Sequence, residues 1–220
     1  MSEVLIHPAY FGPISQFVAI AKADKVIFEN EDNYQKQTFR NRMYIYDSNG
    51  KLLLNIPIRH RSALLGEPKM GGKHQLYKEV QIENEFGWQK QHWRALKASY
   101  QTSPFFEFYE DELRPIYHTE YKYLMDFNYA CLEFIMDSIQ LELDYEKTSE
   151  YNREPENLTD FRPLINAKQK SEFKQQAYTQ VFGDKHGFLP NLSILDLLFN
   201  EGPNSLLYLQ EQHLKAESWS

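Results

Sequence analysis

The chain has one cysteine, Cys131, in 220 residues. No intrachain disulfide can form, which excludes a disulfide-stapled scaffold and makes a reducing cytoplasm the expected compartment. There is no apolar run of about 18 residues, so no helical membrane span is expected. The N-terminus lacks a basic region, and its short apolar stretch is broken by His7 and Pro8, which does not fit a signal peptide. Glycine-rich dinucleotide and Walker loops are absent, as are GxSxG, HExxH and CxxC. The seven histidines are scattered with no close pair, so spacing indicates no metal site, and no cofactor is named by any motif. Basic charge is the scarcer sign: 24 Lys and Arg stand against 31 Asp and Glu, a net charge of -7. Such a surface repels nucleic-acid phosphates, and the basic clusters Lys36, Arg40, Arg42 and Arg59, His60, Arg61 read as strand-flanking surface, so no nucleic-acid partner is expected.

Aromatic residues are plentiful: 15 Phe, 15 Tyr and 3 Trp make up 15% of the chain. Hydrophobic and charged fractions of 42% and 25% are those of an ordinary globular protein. Val4-Leu5-Ile6 reads as a strand, Ile14, Phe17, Val18 and Ala21 as one helix face, and Val26-Ile27-Phe28 as a second strand. That is a βαβ unit, which is expected to be parallel. A hairpin follows, Met43–Tyr46 and Leu52–Leu54 around Asn49-Gly50. Residues 59–75, with Gly66, Pro68, Gly71 and Gly72, read as a long loop, and Val80 with Ile82 as a short strand. Helical patterns cover Trp88–Tyr100 and a long segment from Thr119 to about Ile139; Cys131 sits inside the latter as a buried small hydrophobe. Leu141–Tyr145 alternates like a strand, and residues 150–176 read as a polar loop or appendage. Asn191 is positioned to cap a helix over Leu192–Phe199, and Gly202-Pro203 separates it from a last helix. The fold expected is α/β: a single domain over residues 1–220 with a small, partly parallel, Rossmann-like sheet, a β-hairpin and packing helices.

Three segments carry candidate chemistry. His7-Pro8-Ala9-Tyr10-Phe11-Gly12-Pro13 lies where the first strand hands over to a helix N-terminus. This is the carboxyl edge at which open α/β sheets bind ligands, and the helix dipole there favours an anion. His7 is the proton-transfer candidate; alternatively it merely ends a strand. The second segment, Asp32-Asn33-Tyr34-Gln35-Lys36 with Phe39-Arg40-Asn41-Arg42, follows the second strand and would share that edge. Arg42 offers a bidentate fork to phosphate or carboxylate, Lys36 a point charge, and Asn33 and Asn41 orienting amides; alternatively the segment is a solvated loop. In the third, Trp88 and His92 share a helix face and Trp93 is offset, which suits stacking on a sugar or base, or simply core.

Together these segments resemble the WbqC-like protein family. The resemblance covers nearly the whole chain. It rests on His-Pro-Ala-Tyr-Phe-Gly at 7–12, Lys-Ala-Asp at 22–24, Asn41-Arg42, His92-Trp93-Arg94, Ser-Pro-Phe-Phe at 103–106 and the run from Pro190 to Asn200. The family is bacterial and takes its name from an O-antigen gene cluster, so the resemblance implies a link to surface-polysaccharide biosynthesis. A weaker resemblance, to nucleotidyltransferase-like α/β domains, bears on architecture alone, since Tyr10 stands where a second His would be needed.

The expectation is a cytoplasmic group-transfer enzyme acting on an activated sugar or its modifying group, such as a nucleotide-sugar. His7 would be catalytic, with Tyr10, Asn33, Lys36, Asn41, Arg42, His92 and Trp93 binding the small-molecule substrate. A non-catalytic binding or assembly module in the same pathway is the alternative. A third reading is a homodimer in which the 59–75 loop reaches the partner. Tyr10, Trp88, Trp93, Tyr100 and the aromatics at 105–109 are expected near a site or interface, and Phe17, Phe28, Phe127, Phe134 and Phe199 in the core. Exposure of the 105–109 cluster discriminates: a contiguous exposed patch favours binding, a pocket beside His7 favours catalysis.

Overall fold

The computed structural model describes residues 3–59, 75–168 and 173–214. The chain is α/β, with a four-stranded parallel sheet in the order β5-β2-β1-β6 and a separate antiparallel hairpin. Strand β1 (Glu3–Ile6) lies inside the sheet, and Val4, Leu5 and Ile6 are all buried, as expected for a strand covered on both faces. Helix α1 (Ile14–Lys22) crosses from β1 to β2 (Lys25–Phe28), which pairs in parallel with Val4 opposite Val26 and Ile6 opposite Phe28. The expected βαβ unit is therefore present.

The hairpin joins β3 (Arg42–Asp47) to β4 (Gly50–Asn55). Gly50 has φ of 102°, a conformation that favours glycine. Helices α2 (Trp88–Tyr100), α3 (Phe106–His118) and α4 (Leu124–Ser138) follow. On α2 the residues Trp88, His92, Leu96, Ser99 and Tyr100 are buried, which is one helical face. Thr119 ends α3 instead of starting α4, because Pro115 accepts its N–H and the next segment, 120–123, is not helical. Val80 and Ile82 form no regular strand: Ile82 makes an isolated bridge to Ile58, and Gln81 one to Tyr123.

Strand β5 (Tyr145–Lys147) adds to the outer side of β2. The chain then returns to the far side of β1 as β6 (Thr159–Asp160), with Val4 opposite Thr159 and Leu5 opposite Asp160. The segment read as a polar appendage thus supplies a sheet strand and buries Phe161, Leu164, Ile165 and Phe173. Its strand is two residues long, too short to show alternation in the sequence. A short helix α5 (Gly183–His186) precedes α6 (Ile194–Glu201) and α7 (Ser205–Glu211), which packs on α1.

Asn191 does cap a helix, but a different one from that expected. Its Oδ1 accepts the Ser15 N–H at 2.9 Å, and Leu192 O accepts that of Ile14 at 3.0 Å. Ser193 caps α6. The first two free donors of α1 are therefore spent on residues 191–192 and the third, Gln16 N–H, on Pro13 O, so this end is not the anion site that the sequence suggested. Most of the loop expected over 59–75 lies outside the described residues. Among the described residues no helix is long and apolar enough to cross a membrane.

Candidate functional site

Strand β1 has β2 on one side and β6 on the other, and the chain reaches these two neighbours by separate routes. This is a topological switch point, where the loops leaving the carboxyl ends of adjacent strands part and open a crevice. A cleft of about 290 Å³ lies there, and His7, Asp32, Arg40, Asp160, Arg162 and Tyr151 are among its lining residues. His7 follows β1, Asp32 follows β2, Asp160 ends β6, and Arg162 opens the short 3-10 turn after it.

The charged groups of this cleft are locked together. Arg40 is fully buried, and its Nη2 donates to Asp32 Oδ2 at 2.6 Å and to His7 Nε2 at 3.0 Å. A guanidinium has no acceptor, so His7 Nε2 supplies the lone pair. The imidazole proton then sits on Nδ1 and is donated to Glu29 O at 3.3 Å. Burial, followed by the Arg40 charge, holds the His7 pKa well below the ordinary histidine value of 6.5. His7 is thus a neutral imidazole of fixed tautomer at neutral pH, with Asp32 Oδ2 3.4 Å from Nε2. The Arg40 guanidinium lies 5.0 Å from the centre of the Tyr77 ring, and its Nε and Nη1 have no hydrogen-bond partner.

Across the cleft, Arg162 grips Asp160 in a bidentate fork, Nε to Oδ1 at 2.9 Å and Nη2 to Oδ2 at 2.6 Å. Its Nη1 also donates to buried Glu29 at 3.3 Å. Glu29 accepts Thr148 Oγ1 at 2.9 Å, so one carboxylate ties the carboxyl ends of β2, β5 and β6 into a single rim. Gln16 of α1 braces His7 from below, donating Nε2 to His7 O at 2.6 Å.

A second cleft, of about 610 Å³, lies beside the first and is lined by Tyr34, Lys36, Asn41, Arg42, Ile56 and Lys168 among others. A backbone wall separates the two. Phe39 N donates to Ile165 O at 2.8 Å, Ala167 N to Gln37 O at 3.2 Å, and Thr38 bridges Asn166. The turn-rich segment 35–42 contributes to both sides of this wall: Gln35, Thr38 and Arg40 line the first cleft, while Lys36, Gln37, Asn41 and Arg42 line the second.

The expected site residues therefore fall in separate places. His7 lines the switch-point cleft. Lys36, Asn41 and Arg42 line the second. Asn33 is half-buried between them in sequence and bridges Leu76 through its backbone. Tyr10 and His92 are buried and line neither cleft: Tyr10 Oη pairs with His92 Nδ1 and with Tyr117 Oη, each at 2.8 Å. Burial draws the His92 pKa down to about 4. Trp93 is half-buried against Phe106, Tyr117 and His118. Cys131 is buried and its thiol pKa is pushed up by burial, unlike an activated nucleophile. Asp160, Arg162 and Glu29 carried no sequence signal of a site, and Asp32 and Arg40 stood in a flagged segment without an assigned role. The only usable hint was a pair of opposite charges flanking Phe161 inside a polar stretch. Among the described residues no group of three or more His, Cys, Asp or Glu is arranged to hold a metal ion.

The family model of the WbqC-like protein family matches residues 7–171. The chain is also similar to a protein of Mycobacterium tuberculosis, itself described as the uncharacterized protein Rv1507c. The two are 28% identical over 226 residues, an alignment covering 88% of this chain and 91% of the relative. No solved structure matches the chain significantly.

Proposed function

The chain belongs to the WbqC-like protein family, and we propose that it is a cytoplasmic group-transfer enzyme whose reaction centre is the switch-point cleft. The observation that carries this reading is the cluster of His7, Arg40 and Asp32 in the cleft wall. Burying a guanidinium, a carboxylate and an imidazole costs stability unless they are closely paired, and sites that bear this cost beside a crevice are commonly functional.

In the proposed reaction an acceptor hydroxyl enters the cleft and displaces Arg40 Nη2 from His7 Nε2. Arg40 keeps Asp32 as its partner. Nε2 takes the hydroxyl proton, the oxygen bonds to the transferred group, and the bond to the leaving phosphate breaks with its electron pair on the phosphate. Asp32, already close to Nε2, stabilises the imidazolium, and the Glu29 carbonyl keeps the ring in place. Asp160 and Arg162 orient the acceptor at the rim. The donor is an activated sugar or its modifying group, in keeping with a role in surface-polysaccharide biosynthesis.

The 105–109 aromatics weigh against a binding module. Phe106 and Tyr109 are buried and Phe105 half-buried; Phe108 alone stands out, 69% exposed. They form no contiguous exposed patch. A thermal-shift screen against nucleotide-sugars and nucleotides tests the proposal, because a ligand of the folded state raises the midpoint by mass action. The expected result is a hit that supports turnover in the native protein and binds without turnover in His7→Gln. Turnover undiminished in His7→Gln would sink the proposed mechanism.

A further inference from the structure

We propose that the second cleft is a phosphate subsite that seats the diphosphate of a nucleoside diphosphate. Three cations, Lys36, Arg42 and Lys168, line it, and no carboxylate is among its lining residues. That concentration is unusual on a chain with net charge -7. Some cations elsewhere have found carboxylates, Lys25 with Glu146, Arg59 with Glu83, Lys78 with Glu31 and Lys97 with Glu110, while Lys51, Lys122 and Lys147 lie singly over tyrosine rings. Among the described residues Lys36, Arg42 and Lys168 have no such partner. A group of unpaired cations in one groove concentrates positive potential and attracts a multiply charged anion.

Two buried polar atoms narrow the ligand further. Arg42 Nε has no hydrogen-bond partner, and neither does Asn41 Oδ1. The Asn41 amide is not free to turn over, since its Nδ2 donates to Ile56 O at 2.9 Å and to Asn55 Oδ1 at 3.2 Å. The groove wall therefore carries one unfilled donor on a cation and one unfilled acceptor on adjacent residues, both closed to solvent until a side chain shifts. An inorganic phosphate dianion fills the donor. Its single P–OH hydrogen is the only one it has to give the acceptor, and none remains in the trianion at high pH. A ligand with anionic oxygens and a ribose hydroxyl or base N–H fills both. Half-buried Tyr34, with Ile56, Pro57 and Ile58, gives the groove an apolar wall against which a flat ring can lie. The cleft volume lies within the ~300–1,000 Å³ typical of small-ligand sites.

This deepens the group-transfer reading, and rests on it only for the use made of the ligand. Binding itself does not depend on turnover. The test is isothermal titration of the full chain with UDP, GDP, CDP and ADP, each compared with its nucleoside and with pyrophosphate. At least one diphosphate is expected to bind more tightly than both its nucleoside and pyrophosphate, and more weakly as salt is raised. Arg42→Gln is expected to weaken it about tenfold, the scale of a lost charged hydrogen bond. Lys36→Ala with Lys168→Ala, both at exposed positions, provides a variant that leaves the packed strand β3 untouched and is expected to weaken binding similarly. His7→Gln is expected to leave affinity unchanged. No diphosphate binding, or binding indifferent to both Arg42→Gln and the lysine pair, would overturn the subsite. Arg42-dependent binding with no transfer activity would leave the subsite standing and count against the group-transfer reading alone.

Discussion

At the scale of single residues, the site is governed by what is already bonded to each charge. His7 looked like a free acid–base group at the end of a strand, but its two ring nitrogens are committed, one to the Glu29 carbonyl and one to Arg40. Nitrogen-resolved NMR is expected to show the His7 proton on Nδ1 at neutral pH, with no titration of the ring near 6.5. The acid limb of the rate should accordingly lie well below pH 6.5, because a general base is lost only when it is protonated. His92 allows a stability test with a definite sign. Its folded pKa of about 4 lies below the ordinary 6.5. Between these values the unfolded chain binds the extra proton, so stability is intact above about pH 6.5 and is lost as pH falls toward 4. The maximum loss is about 3 kcal/mol. Chemical denaturation across this range is expected to show a shallower acid slope in His92→Gln. An identical slope would mean that other groups carry it. Gly12 is a more local case: a Cβ there would stand 1.8 Å from Gln16 Oε1. Gly12→Ala should push Gln16 off the His7 carbonyl, costing both melting temperature and activity.

At the scale of elements, the C-terminal segments act as braces for the N-terminal ones. The run at 190–193 caps α1, and Asn191→Ala is expected to destabilise the protein by about 1 kcal/mol, the usual worth of a lost cap, read as a lower denaturant midpoint at unchanged slope. Asp196 on α6 is fully buried and accepts from Tyr100 Oη at 2.8 Å, Gln180 Nε2 at 2.8 Å and Tyr178 Oη. Burial raises its pKa, and the three donors oppose that rise. Asp196→Asn removes an acceptor that no other group replaces; a loss of about 1–3 kcal/mol is expected by denaturation. These bonds explain a misreading of the aromatics. Tyr10 and Tyr100 fall within or beside the family-like motifs, yet both are wholly buried, because each hydroxyl finds an internal partner. A tyrosine's polarity does not reveal whether that partner is a ligand or the chain itself.

At the scale of the whole molecule, the βαβ start, the hairpin and helix α2 were legible because each rests on local periodicity or a tight turn. The other edge of the sheet was not. Strand β6 is two residues long, and its pairing with β1 joins Val4 to Thr159, a contact no local pattern announces. With β6 invisible, so was the switch point, and Asp160 and Arg162 could not be placed opposite His7. The same difficulty split the expected site. Lys36, Arg42 and His7 were expected on one edge, but Lys36 and Arg42 line one cleft and His7 the other, with the 37–39 and 165–167 pairing as a wall between them.

The central claim is that the switch-point cleft performs chemistry through His7 and Asp32. The most direct measurement is transfer activity of the native chain, His7→Gln and Asp32→Asn, each with the nucleotide-sugar that stabilises the native protein in the screen. Transfer is expected in the native chain, with losses of about 10²- to 10⁴-fold in His7→Gln, the range for removal of a general base. Asp32→Asn should also lose rate, with nucleotide affinity preserved in both. Native-like rates in both variants would contradict the account.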